Sequence, residues 1–567
     1  MTNITPTTEQ LACIAMVKEN AYTKINAGAG AAKTTTLSLI ANENCTPSLY
    51  LAYNKAMAVE AGNRFPGWVD VKTTHALAYS VFGRAIAHKL NRPKGPYVNV
   101  CGTGSEIARY FKIKAFDAEI RKITSAGIGL GIKETVNAFE YSADSVVKKS
   151  HVSFSPFNGA KISTSVRVEY TALILKHAAM LWSLRSNIKS NILATHDTYL
   201  KLYQLSEPTF DQWDIIYLDE AQDTNECVLS ILENVKGKKK VVVGDKFQQI
   251  YQWRGSVNAM DKLDYAESTL TQSFRFGPEI ADLANLVIGE GTILRGWDKL
   301  TTTTMPYYDF EYDRCYTALY RTNAALLTDA VEQIKLGKKI NLEIDVRDFL
   351  KMLDSAVELK NNNIAKVKHE KLAMFESWYD LEEEVKMAGG ELSRIYNMVE
   401  SNEVYNVIGV LANHQNSDKP DAIYTTAHKS KGREWDVVLL AHDFPSNYNK
   451  VGEWVGLTEM ERNLLYVALT RAKKELIYND SIIEFKEREQ AEAKAQVGIQ
   501  GAKLEVNVKS IVAYHPDFHK TADLECLLEM GAVLTTDTER MCMPDLDCCD
   551  MDGNEIILDA NGDYSEV

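Results

Sequence analysis

The stretch Ile25 to Leu37, INAGAGAAKTTTL, constrains this chain more than any other. Ile25 and Asn26 close a short apolar strand, and Gly28, Ala29, Gly30, Ala31 and Ala32 make a loop of minimal side chains. Lys33, Thr34 and Thr35 then open a helix continued by Leu37, Leu39 and Ile40. Small residues let backbone N–H groups close around phosphate oxygens. A lysine there puts a point charge on the β- and γ-phosphates, and a threonine hydroxyl can hold Mg²⁺. The loop departs from G-x-x-x-x-G-K-[ST] at Ala27 and Ala32. Alone, it reads as a phosphate-binding loop, with a small-residue turn followed by a chance Lys-Thr as the rival, so what stands downstream decides.

Strands with polar tips recur downstream. LYLAYNK runs from an apolar strand into Asn54 and Lys55, and VDVKTTHALAY repeats the design with Thr73, Thr74 and His75 at the tip. Strand, polar tip and helix in series indicate a parallel α/β sheet with its functional groups at strand ends. WDIIYLDEAQD ends a buried strand in Asp219 and Glu220, one carboxylate to orient a metal's water shell and one to activate water. VVVGDKFQQIYQWRG puts Gln248 at a strand tip, placed to report a γ-phosphate. Trp253 and Arg254 follow, suited to base stacking and phosphate contact. Taken singly, Trp253 reads as core and each downstream basic residue as a surface charge. Ahead of the loop, Thr7 and Gln10 have capping-box spacing. Gln10 is equally an amide that pairs with both a donor and an acceptor on adenine.

The net charge of −14 argues against a polyanionic partner only until its distribution is read. From Arg84 to Leu200 there are seventeen Lys and Arg against eight acids, and from Thr521 onward one Arg against thirteen acids. A nucleic acid meets a local face, not the total. No apolar run approaches the ~18 residues of a membrane span. Nine scattered cysteines and no evident signal peptide point to a reducing, cytoplasmic or nucleoid-like compartment rather than secretion. CMPDLDCCDMDGNE has a partial Ca²⁺-loop look in Asp550, Asp552 and Gly553, but Cys548 stands where the first ligand belongs.

The ordered set TPTTEQ, AGAGAAKTT, TTHALAY, YLDEAQD, VVGDKFQQIYQWRG, QSFRFG, LYRTN, TAHKSKGREWDVV and RNLLYVALTRAK resembles superfamily 1A DNA helicases of the UvrD/Rep type. LYLAYNKAMAVEA and KTTHALAY are similar in particular to the F-box DNA helicase branch. The resemblance implies an α/β fold of two RecA-like parallel-sheet P-loop NTPase domains, with inserted, mainly helical subdomains and ATP and Mg²⁺ between them. Residues 1–85 and 205–270 would form domain 1A, 86–204 a basic insert 1B, 271–335 and 422–480 domain 2A, 336–421 a short insert 2B, and 481–567 a C-terminal region with an acidic tail.

The same resemblance implies roles residue by residue. Gln10 would read adenine, Phe274 would stack on it, and Glu434 would lie near the ribose. The loop from Gly28 to Thr35 would hold the phosphates, Thr34 and Asp219 the metal, and Glu220 the attacking water. Gln248, Arg275 and Arg471 would act on the γ-phosphate. His75, Trp253, Arg254, His428 and Lys431 would contact single-stranded DNA. The expected activity is ATP-driven 3′–5′ translocation and unwinding by a monomer at single-strand/duplex junctions. The alternative is a DNA-stimulated ATPase that strips protein from DNA. Ala27 is common in the family. Ala32 departs from it, and weaker nucleotide binding is the expected consequence. No F-box is visible, so no ubiquitin-ligase link is carried over. The acidic tail is a candidate contact for a protein partner.

Overall fold

A computed structural model of the protein describes residues 5–90, 101–118, 122–157, 161–252, 255–289, 294–388 and 391–504, together with four short strands beyond residue 530. The chain divides into two compact units, 1–484 and 485–567.

Two six-stranded sheets, parallel throughout, organise the first unit. The first is built from β1 (Tyr22–Ala27), β2 (Ser48–Ala52), β3 (Val69–Thr73), β4 (Ile215–Leu218), β5 (Lys239–Gly244) and β6 (Ala266–Leu270), in the order β3-β2-β4-β5-β1-β6. Its central strands, including SLYLA and IIYL, are apolar runs buried at every position. A parallel sheet covered by helices on both faces requires this. The order makes the C-terminal tips of β4, β5 and β1 adjacent. Asp219-Glu220, Asp245 and the loop at Gly28 therefore become neighbours although some 190 residues of chain separate the first from the last.

The second sheet contains β7 (Thr303–Pro306), β8 (Tyr316–Tyr320), β9 (Ile340–Leu342), β10 (Ala422–Thr426), β11 (Trp435–Leu440) and β12 (Ala472–Tyr478), in the order β9-β10-β8-β11-β12-β7. Glu434 and Arg471 immediately precede the paired strands β11 and β12, and the Trp435 N–H donates to the Arg471 carbonyl at 3.0 Å. β9 corrects the expected bounds of the second insert: residues 340–342 pair with 422–424 as an edge strand of this sheet. Three residues are too few to show a strand period in sequence.

Both inserts are mainly helical. In the first, the Gly104–Phe111 and Ser125–Tyr141 helices meet backbone to backbone; a Cβ on Gly129 would lie 1.9 Å from the Gly104 carbonyl oxygen. The two inserts touch. Lys133 Nζ reaches Glu370 Oε2 at 2.7 Å, the Gly104 N–H donates to Glu370 Oε1 at 3.2 Å, and Thr124 Oγ1 donates to the Ala373 carbonyl at 3.2 Å.

In the second unit the chain forms two antiparallel strand pairs, Val533–Thr535 with Arg540–Cys542 and Ile556–Leu558 with Tyr564–Glu566. Cys548, Asp550, Asp552 and Gly553, on which the Ca²⁺-loop reading rested, lie outside the described residues.

Candidate active site between the two sheets

The loop after β1 has the geometry that its small residues predict. Gly30 has φ 73°, and a Cβ there would meet Ser273 Oγ at 2.5 Å and Arg275 Cβ at 2.8 Å. Its carbonyl accepts the Phe274 N–H at 2.9 Å. Ala32 sits at the N-cap of the Lys33–Asn44 helix in the left-handed region, φ 56° and ψ 41°, with no side-chain cap on the first turn. The helix start thus leaves first-turn N–H groups for an anion. The left-handed conformation costs alanine about 1–2 kcal/mol. Glycine recovers that but loses about 0.4–1 kcal/mol through the freer unfolded chain. Ala32→Gly is therefore expected to raise stability by about 0.5–1 kcal/mol in urea unfolding and to lower KM for ATP. An unchanged midpoint and KM would show that the strain does not matter.

Gln10 forms the capping box. Its Oε1 accepts the Thr7 N–H at 3.0 Å, and its own N–H donates to Thr7 Oγ1 at 3.2 Å. Nε2 also bonds, to Thr36 Oγ1 at 3.1 Å, which pins the glutamine to the phosphate-loop helix. Both ends of the amide are engaged within the protein, so base reading would require it to leave the cap.

The acid pair faces this loop. Thr34 Oγ1 donates to Asp219 Oδ2 at 3.4 Å, Tyr50 donates its hydroxyl to the same oxygen, and Lys33 Nζ lies 3.5 Å from Glu220 Oε1. Glu220 has φ 52°, a conformation that turns the chain sharply at the strand tip. Burial and the neighbouring Glu220 charge push the Asp219 carboxyl up. Burial also raises Glu220, but Lys33 and Lys431 outweigh it and hold that carboxyl below its ordinary range. The two adjacent carboxylates thus carry opposed shifts, Asp219 up and Glu220 down, so Glu220 is the one held ionised.

Lys431, expected to contact DNA, crosses from the second sheet into the cleft. Its ammonium donates to Asp223 and, at 2.8 Å, to the Gln248 carbonyl, and it lies 3.6 Å from Glu220 Oε2. Its side chain is 8% exposed, and three groups from the first sheet compensate its charge. The buried Asp223 carboxyl is still pushed up to about 6 by desolvation, against the pull of Lys431.

The two arginines close the other wall. Arg275 lies on the connector between the sheets, against the loop. It reaches Glu434 through Nε at 2.7 Å and the Thr470 carbonyl through Nη1 at 3.0 Å. Glu434 is thereby tied to Arg275. Phe274 packs edge-on against Trp297 at 5.5 Å. Arg471 is 2% exposed, and its guanidinium donates to the Val467 and Arg433 carbonyls and to Thr470 Oγ1. Burial, then Arg275, lowers its pKa to about 9, so it stays charged at neutral pH. A buried cation held by neutral acceptors beside an open helix N-terminus is a fitting receptor for phosphate. Gln248 is 3% exposed and donates to Asp245 Oδ2 at 2.8 Å.

Residues 7–264 match the UvrD/REP helicase N-terminal domain and residues 178–481 the UvrD-like helicase C-terminal domain. The chain belongs to the UvrD-like helicase family. It is 31% identical to F-box DNA helicase protein 1 of Schizosaccharomyces pombe over 81% of this chain and 55% of that protein. It is 29% identical to F-box DNA helicase 1 of Gallus gallus over 82% of this chain and 48% of that protein. A shorter match of 106 residues, 32% identical, joins 17% of this chain to 14% of ATP-dependent DNA helicase PcrA of Staphylococcus aureus. The chain thus spans about half the length of the F-box helicases it matches.

In this member of the UvrD-like helicase family, two further residues expected to contact DNA lie around Tyr251. His75 is part-exposed and bonds Asp197 Oδ1 at 3.1 Å. It lines a cavity of about 260 Å³ that also reaches Asp219 and Asp223. His428 presents its carbonyl to the Tyr251 hydroxyl at 3.1 Å, and burial lowers its ring pKa. Tyr251 in turn stacks on Tyr53, centroids 6.0 Å apart. Trp253 and Arg254 lie outside the described residues. A larger cavity of about 560 Å³ lies under Tyr316, Tyr320 and Tyr424, away from the cleft.

The sequence reading missed Tyr50, Asp223, Asp245 and Tyr466. Asp223 and Asp245 stand within quoted motifs, each three residues from an assigned position, and strand-tip placement alone could have flagged them. Tyr50 reads as one more apolar strand residue, and only the pairing of β2 with β4 brings its hydroxyl to Asp219.

Proposed function

We propose that this chain is an ATP-dependent DNA helicase or translocase that moves 3′ to 5′ on single-stranded DNA and separates strands ahead of it. One observation carries the reading: Lys33, Asp219 and Glu220 from the first sheet share a buried cleft with Lys431 and Arg471 from the second. The relatives are named DNA helicases, which supports the helicase part of the reading. In this reading residues 1–85 and 205–270 form the first motor domain. Residues 271–335 and 422–480, with the edge strand 340–342, form the second.

Lys33 and the N-terminus of its helix would bind the phosphates, with Arg275 and Arg471 opposite. Mg²⁺, when bound, would offset phosphate charge, and Thr34 with Asp219 would hold it. Glu220, ionised, would take the proton of the attacking water once Lys33 turns to the phosphates. Two arginines from beyond the first sheet stabilise developing charge only when the cleft is closed, which couples hydrolysis to domain motion. His75, His428 and the Trp253-Arg254 pair would meet single-stranded DNA, where stacking tolerates any base. Among the described residues no helix is long and apolar enough to cross a membrane. A monomer working in a cytoplasmic or nucleoid compartment, with the acidic tail meeting a protein partner, completes the proposal.

The test is unwinding of duplexes with a 3′ or a 5′ single-stranded tail. Displacement of the 3′-tailed substrate alone, dependent on ATP, is expected. Hydrolysis without displacement, or preference for the 5′ tail, would overturn the reading.

A further inference from the structure

Lys431 follows the short Ala427–Ser430 helix after β10, and Gly432, at φ 79°, turns the chain immediately beyond it. A lysine ammonium has three N–H donors. Two go to Asp223 Oδ2 and, at 2.8 Å, to the Gln248 carbonyl, which leaves one for Glu220 Oε2, 3.6 Å away. The Asp223 side chain is wholly buried, so water does not weaken the pair. Glu220 Oε2 also accepts from Gln222 Nε2 at 2.6 Å, and Gln222 Oε1 accepts the Asp245 N–H at 3.1 Å. The other oxygen, Oε1, faces Lys33 at 3.5 Å. Glu220 thus has one oxygen gripped from the side of the second sheet and one turned to the lysine of the phosphate loop.

The residues just after Lys431 hold the arginines. The Arg433 carbonyl accepts Arg471 Nη1 at 3.3 Å, and Glu434 accepts Arg275 Nε at 2.7 Å. One short segment therefore carries the cation that meets Glu220 and acceptors for both guanidinium groups. Tyr466, in the Glu459–Leu469 helix, adds a contact from the same side. Its hydroxyl accepts the Ala29 N–H at 3.1 Å and donates to Asp245 Oδ2 at 3.0 Å. The approach of the second sheet that brings Arg471 to the cleft is the approach that brings Lys431 to the acid pair.

We propose that Lys431 is a positioning residue for hydrolysis: anchored on Asp223 and Gln248, its ammonium fixes Glu220 through Oε2 and leaves Oε1 to face the attacking water. The proposal deepens the ATP reading and rests on it. In that reading Lys33 serves the phosphates, so its hold on Glu220 is shared. Lys431 is tied to three groups of the first sheet and has no such second duty. A base oriented by a cation from the second sheet makes water activation conditional on the same approach that delivers the arginines. The ammonium also lies 5.7 Å from the centroid of the Tyr251 ring, beside which His428 stands, so DNA affinity belongs in the test.

Lys431→Met alone leaves the buried Asp223 charge without its partner and destabilises the fold. The deciding variant is therefore Lys431→Met/Asp223→Asn, which removes both charges. With saturating single-stranded DNA its kcat should fall about ten- to a hundredfold, the scale on which a displaced reacting group slows a reaction. KM for ATP, Kd for single-stranded DNA and the melting temperature should stay near wild type. In a Glu220→Gln background the same double change should slow single-turnover hydrolysis by less than about threefold more, because a residue that acts through Glu220 has nothing left to position. A merely structural pair would give the same loss in both backgrounds. A raised KM with kcat kept would make Lys431 a phosphate contact, and a raised Kd for DNA with kcat kept would make it a DNA contact. Either result, or an undiminished loss in the Glu220→Gln background, overturns the proposal. Wild-type hydrolysis and binding of a non-hydrolysable ATP analogue report separately on the ATP reading: if both are absent, that reading fails and the proposal with it. If both are present and the double variant matches wild type, only the positioning role fails.

Discussion

Glu220→Gln is expected to lower ATP hydrolysis by about two to four orders of magnitude, the usual worth of a positioned general base, while nucleotide binding persists. The substitution preserves shape and the contact with Gln222, whose Nε2 donates to Glu220 Oε2 at 2.6 Å. It removes the charge that pairs with Lys33 and Lys431. Freed of that pair, Lys33 is more available to phosphate, so affinity for ATP should hold or rise as turnover collapses. Phosphate release with saturating single-stranded DNA, measured beside fluorescent-nucleotide binding, checks both halves. Turnover within tenfold of wild type would move the base elsewhere. The pH dependence has a definite sign. Glu220 is held below its ordinary carboxylate range, so it stays ionised as pH falls from neutrality. The acid limb of kcat/KM assigned to this group should therefore lie below the normal glutamate range, near 4.3. The stability its ion pairs contribute is present above the unfolded pKa and is lost only as pH falls through the depressed folded value.

Arg471→Ala is expected to cost about three to five orders of magnitude in turnover, the range found for arginines that meet phosphoryl transfer from a neighbouring domain or protein. Its cost to folding should be small by comparison. The guanidinium is buried, faces Arg275, and is held by two carbonyls and a hydroxyl. Deleting it relieves a like-charge contact while it leaves a void. Arg275→Ala is less clean, because it also frees Glu434 and the Thr470 carbonyl. Single-turnover hydrolysis with circular dichroism melting separates the two effects. A turnover loss matched by loss of the folded state would refute the assignment of Arg471 to the reacting phosphate.

Where the reading and the fold agree, the reason is local. Burial on both faces forces apolar runs such as SLYLA and IIYL. Minimal side chains are the condition for a loop that closes around an anion, and a carboxylate pair after a buried strand can only stand at its tip. Each of these is a property of a few consecutive residues. Ala32 belongs here too. The alanine is visible in sequence as a departure, and its positive φ at the helix start gives the departure its physical cost.

Where they part, the reason is distance along the chain. Lys431 sits in a motif beside His428, and both lie against the Tyr251 ring, yet the Lys431 ammonium reaches on to Asp223, a partner far away in the chain. The edge strand 340–342 exists only because residues 422–424 offer it a partner. Gln10 satisfies its capping-box spacing, but its third bond, to Thr36, belongs to the packing of two helices.

The sequence by itself indicated a parallel α/β sheet with a small-residue loop and an acid pair at strand ends, because strand burial and loop chemistry are written within short segments; the second sheet and the two arginines followed from the resemblance of the ordered motifs. Only the tertiary structure decided which groups face one another across the cleft. Lys431 on the acid pair, Tyr50 on Asp219 and Tyr466 on the Ala29 N–H all depend on strand order and on the approach of the second sheet to the first. A side chain's partner across a cleft is set by the packing of elements hundreds of residues apart, and no local pattern records it.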